Sequence, residues 1–344
     1  MVTQITELLK IKLPIIQAPM AGGVTTPELV AAVSNAGGLG SLAAGYLTAA
    51  EIAKTIKQIR RLTSNPFAVN LFVPEKYHAT VEQIERAKKV VQTASAELNY
   101  KVGDIKPPYT PSFEEQMKVV FDAKVPIISF TFGIPSAVWQ EKLIKNNIKL
   151  IGTATTLAEA KMLEKNNMDC VVAQGSEAGG HRGSFLSKDK DNLLSRSSLV
   201  ETLTSHIKIP VVAAGGIMNA NEIAASLTLG AVAVQMGTAF LCCSESGAHP
   251  IYKNALLNMS DDNTTLTRAF SGKWARGINN KFIMRMRSHE ADILDYPIQH
   301  VLTSGIRKES ANQHCVDFMS MWAGQAAYLC EALSVAVLIQ KLLW

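Results

Sequence analysis

Eight short apolar runs recur between Ile15 and Phe240, and a helical pattern separates each from the next. The expected strands are Ile15–Pro19, Leu39–Ala43, Ala68–Phe72, Ile127–Phe130, Leu150–Thr153, Val171–Ala173, Val211–Ala214 and Ala231–Gln235. Strands that alternate with helices run parallel, because each helix carries the chain back to the same end of the sheet. Eight of them point to an α/β fold closed as a (β/α)8 barrel rather than left as an open sheet. Thr48-x-x-Glu51, Ser112-x-x-Glu115 and Thr156-x-x-Glu159 have the form of capping boxes, and Thr26 before Pro27 marks a further helix start. A cap is complete as structure, so these residues are given no chemistry.

Two stretches break the rhythm, Pro74–Ser112 after the third run and Gly183–Ser197 after the sixth. Loops that follow strands build the active-site face of a barrel, so extra length there is where a lid or substrate wall belongs. Past Cys242 the strand rhythm stops and the chain reads as helical. The expected division is a barrel over 1–241 with the 74–112 excursion, a smaller, mainly helical cap over 242–318, and a segment 319–344 whose helix returns to the barrel. The apolar stretch Ala326–Gln340 is interrupted by Glu331 and falls short of the ~20 residues that span a bilayer. It reads as a buried amphipathic helix, and no membrane partner is expected.

The net charge of +5 is dispersed, with only pairs such as Lys88-Lys89 and Arg60-Arg61, so no basic stripe is available to follow a phosphate backbone. Nucleic acid is not an expected partner. Five cysteines without a C-x-x-C pair argue for neither a disulfide framework nor a metal site, and the reducing cytoplasm is the expected compartment. Met1–Lys10 lacks the pattern of a secretory signal.

The most informative motif is the run from Gln174 to Gly183, QGSEAGGHRG, directly after an apolar strand. Small residues at Gly179 and Gly180 let something flat approach the backbone beside one imidazole, His181. Two further turns, Ala214-Gly215-Gly216-Ile217 and Gln235-Met236-Gly237-Thr238, follow the seventh and eighth strands, where barrel enzymes commonly hold a phosphate. Gly216 and Gly237 allow close approach, and the Thr238 hydroxyl adds a donor. Asn70 and Gln174 place amides where the pattern calls for apolar residues. Each offers the donor and acceptor that suit the edge of a flavin's pyrimidine ring, or else pairs with buried backbone. No phosphate-binding G-x-x-x-x-G-K-[ST] run or G-x-S-x-G elbow is present, and the seven histidines lack metal-ligand spacing. The six other than His181, among them His206 and His249, are read as structural or solvated, and Tyr296 and His300 as loop packing, with the lining of a pocket from the cap as the alternative.

Together these pieces resemble the nitronate monooxygenase family, class I, over nearly the whole chain. The opening run Gln17-Ala18-Pro19-Met20-Ala21-Gly22-Gly23, the run Ser34–Gly40, the glycine turns above, and the later runs Phe270–Gly277 and Met321–Ala327 carry the similarity. The resemblance implies a TIM-type barrel holding non-covalent FMN. It also implies oxidation of alkyl nitronates, such as propionate 3-nitronate, by molecular oxygen to carbonyl compounds and nitrite, a detoxification role. Carried over by position, Met20, Asn70, Gln174, Gly179, Gly180, Gly215, Gly216, Gln235, Met236, Gly237 and Thr238 would bind FMN, and His181 would face the substrate. One departure is Thr131, where some relatives carry histidine. An FMN- and NADH-dependent enoyl-acyl-carrier-protein reductase shares the barrel and the glycine–histidine turn, but should lack the C-terminal runs. A flavin-binding protein without turnover is the third alternative.

Overall fold

The computed structural model describes residues 3–187 and 193–343. Its barrel strands are β1 (Ile15–Gln17), β2 (Gly40–Ala43), β3 (Phe67–Phe72), β4 (Ile127–Thr131), β5 (Lys149–Ala154), β6 (Cys170–Gln174), β8 (Val211–Ala214) and β9 (Ala233–Met236), with the two-residue β7 (Gly180–His181) lying outside the barrel. The eight are parallel in the order β1-β9-β8-β6-β5-β4-β3-β2, and an Ile16–Leu39 bridge brings β1 to β2, which closes the ring. Helices lie between the strands, so the fold is a TIM barrel, as the alternation predicts.

Side chains alternate across each strand, and the alternation builds the site. In β6, Val171 and Ala173 join the outer core against the helices, while Cys170 and Val172 belong to the inner core. The next inward position is Gln174. The same parity follows Ala68 with Asn70, Ile127 with Ser129 and Thr131, Ile151 with Thr153, and Ala233 with Gln235. Each of these five strands therefore starts with an apolar inward residue at the barrel floor and ends with a polar one at its mouth, whereas β8 ends on Ala214. Ile5 and Leu9, from the helix Gln4–Leu9, complete the inner core at the closed end.

The helix starts refine the expectations. Thr48 and Glu51 satisfy each other's backbone amides as a reciprocal box. Ser112 and Thr156 accept from the amides of Glu115 and Glu159, but neither carboxylate returns the bond. Glu159 instead accepts from Thr155 and reaches the amides of Phe185 and Leu186 at 2.7 and 3.1 Å, pinning the start of the segment after β7. Of the stretch expected to form a lid or wall, residues 188–192 lie outside the described residues.

Beyond the barrel the chain is not purely helical. Strands β10 (Thr264–Thr267) and β11 (Ala275–Ile278) pair antiparallel, and β11 pairs in turn with β7, so that Ala275 lies opposite His181. Neither forms an apolar run: Thr-Thr-Leu-Thr has one apolar residue, and in Ala-Arg-Gly-Ile an arginine and a glycine separate the apolar ones. A second apolar core unites Ala87, Val91 and Leu98 of the excursion with Phe270, Phe282 and Phe318. The C-terminal helix is shorter than expected, Val335–Leu342, with a separate 3-10 turn at Ala327–Leu329. Among the described residues no helix is long and apolar enough to cross a membrane.

Candidate active site

The strand ends open into a cavity of about 780 Å³, and every residue singled out above as a candidate lines it, from Met20 and Asn70 through Gln174, Gly179, Gly180 and His181 to Gly215, Gly216 and Gln235–Thr238. The roof comes from later in the chain, with Ser271, His300, Arg307 and Trp322 facing the same space.

The two amides divide between the alternatives posed for them. Gln174 is committed to its own loop: Nε2 donates to the His181 carbonyl at 2.9 Å, and Oε1 accepts from the Gly183 amide at 2.7 Å. It positions the histidine turn. Asn70 differs, since its Nδ2 lies within bonding distance of Ser129 Oγ at 3.0 Å and Thr131 Oγ1 at 3.1 Å, while its Oδ1 is buried without a partner. A buried acceptor left unmade is costly, so Asn70 Oδ1 calls for a donor from a bound group. An N–H at the edge of a flavin ring fits it. Thr131, where some relatives carry histidine, helps to turn that oxygen inward.

The glycines also divide. A Cβ on Gly179 would lie 2.5 Å from the backbone of Ala323 and Gly324, so that glycine admits the C-terminal segment beside the cavity it lines. Gly180 has φ +74 with open space where a Cβ would stand. Gly215 and Gly216 have φ +120 and +69, conformations that glycine adopts without penalty and that shape the turn after β8. Arg196 braces this turn by donating from Nη1 to the Gly215 carbonyl at 2.9 Å, while its Nη2 pairs with Glu222. Sequence reasoning missed Arg196 because nothing local marks it. Across the next strand, Thr238 Oγ1 accepts from the Gly324 amide at 3.0 Å, which leaves its own proton for the cavity. These turns, the Thr238 hydroxyl and the Asn70 oxygen supply donors and an acceptor that fit a flavin.

His181 sits between Phe132 and Trp322, with ring centroids at 6.1 and 5.3 Å, and its Nε2 is 2.8 Å from Ser271 Oγ. Burial, reinforced by Lys273 and Arg307, pushes its pKa down to about 3. The imidazole is therefore neutral near pH 7. Phe132 itself has φ +72, unusual for a bulky residue, and its ring also stands 4.3 Å below the ammonium of Lys273, which pairs with Glu75 at 2.8 Å. Of the two readings of His300, the structure favours the pocket: the residue lines the cavity and its ring stacks on Tyr46 at 4.3 Å. His249 both lines the cavity and caps the helix Pro250–Leu257, while Tyr296 packs beside Phe132 and His300. These residues are remote in sequence, and only the cap's fold brings them together.

A TIM barrel whose strand-end cavity gathers the glycine turns, the unpartnered Asn70 oxygen and His181 suits one class of protein, the flavin-dependent oxidoreductases. The nitronate monooxygenase family model matches residues 3–344, and the chain belongs to that family. A probable nitronate monooxygenase from Staphylococcus aureus (strain MSSA476) is 47% identical over 327 residues, covering 95% of this chain and 92% of that protein. Among solved structures, nitroalkane oxidase from Streptomyces ansochromogenes is 40% identical with a TM-score of 0.90, over 98% of this chain and 96% of that one. FabK from Thermotoga maritima is 30% identical with a TM-score of 0.79, over 100% and 95% respectively.

Proposed function

We propose that the protein uses non-covalent FMN to oxidise alkyl nitronates such as propionate 3-nitronate with molecular oxygen, giving carbonyl compounds and nitrite, as a detoxifying enzyme of the cytoplasm. The observation that carries this is the neutral His181 in a cavity bearing positive charge. A histidine held near pKa 3 is a weak base near neutral pH, where a general base works best with a pKa close to the ambient value. A nitronate has already lost its α-proton and needs no strong base. It needs to be held, oriented and kept from water.

Bound FMN would supply the electron acceptor for this electron-rich anion and the route to oxygen. Asn70 Oδ1 would receive a ring N–H, and the turns at Gly215-Gly216 and Gln235–Thr238 would hold the phosphate. His181 would donate a hydrogen bond to the nitro oxygens from the nitrogen that carries its proton, and Phe132 and Trp322 would exclude water around it. The runner-up, a nicotinamide-dependent enoyl reductase, is separated by one comparison. Purified enzyme in air should take up oxygen and release nitrite with propionate 3-nitronate, whereas rapid NADH oxidation with an enoyl thioester and no nitrite would transfer the assignment. A yellow protein active in neither assay would be the flavin-binding alternative.

A further inference from the structure

We infer that Arg307 and Tyr46 form a second anion-binding subsite that takes a carboxylate at the far end of the nitronate substrate, and so select dianionic nitronates over simple alkyl ones. The inference rests on the nitronate reading above. Arg307 lies on the helix Ser304–Asn312 in the cap and lines the cavity. Its Nε donates to the Thr303 carbonyl at 3.3 Å, and its Nη2 donates to the His300 carbonyl at 2.7 Å and lies 3.4 Å from His300 Nδ1. Those bonds aim the guanidinium but do not neutralise it. Among the described residues no carboxylate pairs with it, and Nη1 has no protein partner, whereas the other cation beside His181, Lys273, is paired with Glu75.

A guanidinium enclosed without a counter-ion is unfavourable, and its two-pronged donor edge matches a carboxylate. Tyr46 adds a hydroxyl to the same corner. It follows β2, lines the cavity and stacks on His300, and burial holds its proton in place up to about pH 12. Arg307 and His181 line the same cavity, and the rings of His300, Tyr296 and Phe132 run between them, so a substrate held at one faces the other. The nitro end would meet His181 and the carboxylate end Arg307.

The test compares propionate 3-nitronate with propyl-1-nitronate, which has the same chain length and no carboxylate. In the wild-type holoenzyme kcat/KM should favour the carboxylate by roughly 10- to 100-fold, the size of a charged hydrogen-bonded pair. R307M should remove most of that preference through KM, R307K should keep part of it, and Y46F should reduce it several-fold. Perturbation of the flavin absorbance gives an independent readout: 3-nitropropionate should bind the resting wild type more tightly than 1-nitropropane does, and R307M should level the two. Equal wild-type kcat/KM for the two nitronates, or a preference that survives in R307M and R307K, overturns the subsite while leaving the reaction intact. Loss of flavin from a folded R307M overturns it in favour of a cofactor role, and loss of NADH affinity alone in favour of a nucleotide phosphate. Absence of nitrite from either substrate overturns the nitronate reading and the subsite with it.

Discussion

His181 Nε2 lies 2.8 Å from Ser271 Oγ, which ties the turn after β6 to the cap across 90 residues of sequence. The serine hydroxyl also lies 3.2 Å from the Lys273 carbonyl and accepts from the Lys273 amide at 3.3 Å. With the hydroxyl proton directed at Nε2, the shorter of its two contacts, the neutral imidazole carries its own proton on Nδ1, so one contact fixes both ring angle and tautomer and leaves that proton for the substrate. S271A should keep its flavin but lose roughly 10-fold in kcat/KM for propionate 3-nitronate, because a loosened ring no longer meets the substrate squarely. Unchanged steady-state kinetics in S271A would show that the serine does not position the histidine.

His181 also makes stability depend on pH. Its pKa falls from 6.5 to about 3 on folding, so between those values the unfolded chain binds a proton that the folded chain does not. Stability from this site is complete above pH 6.5 and is lost as the pH falls toward 3, by about 1.4 kcal/mol per pH unit. Urea unfolding at pH 7.5, 6.0 and 5.0 should give a smaller loss for H181N than for the wild type. Parallel curves for the two proteins would mean that the histidine is not buried neutral.

Gly216 and Gly179 should fail in different ways. G216V forces a β-branched residue into φ +69 and sets its Cβ 3.2 Å from that of Glu177, costing about 1–2 kcal/mol and deforming the turn assigned to the phosphate. A folded protein with little flavin after gel filtration is the expected outcome. G179A drives its Cβ against Ala323 and Gly324, so melting temperature should fall before flavin affinity does. Full flavin occupancy in G216V would place the phosphate elsewhere.

The barrel was legible because each βα unit writes its own period into the sequence, and because the inward parity of β3 and β6 carries Asn70 and Gln174 to the mouth. The roles of those amides were not legible. Which amide is consumed by backbone depends on the His181–Gly183 loop folding back over β6, a contact that no spacing within the chain encodes. The cap was the least legible part. Its strands β10 and β11 carry no apolar run, and its contribution to the cavity includes His300 and Arg307, single residues on helices that also bury Ile298, Leu302 and Ile306. Phe132 gives no sign in sequence of its left-handed backbone, since that conformation is imposed by the Phe72, His181 and Tyr296 rings packed around it.

The Asn70–Thr131 pair carries the last prediction. Asn70 Oδ1 is the buried acceptor that awaits a donor, and Thr131 Oγ1 is one of the acceptors that fix Asn70 Nδ2 in place. N70A removes the acceptor itself and should weaken flavin binding about 10-fold, while T131V leaves the amide present but less constrained and should weaken it only about 3-fold. The double variant N70A/T131V should bind flavin no worse than N70A alone, because the threonine acts through the amide that N70A has already removed. Dissociation constants from flavin fluorescence on titrating apoprotein give all four corners of this cycle. Additive losses would show that Thr131 touches the flavin independently, and wild-type affinity in N70A would assign the unpartnered oxygen to something other than the cofactor.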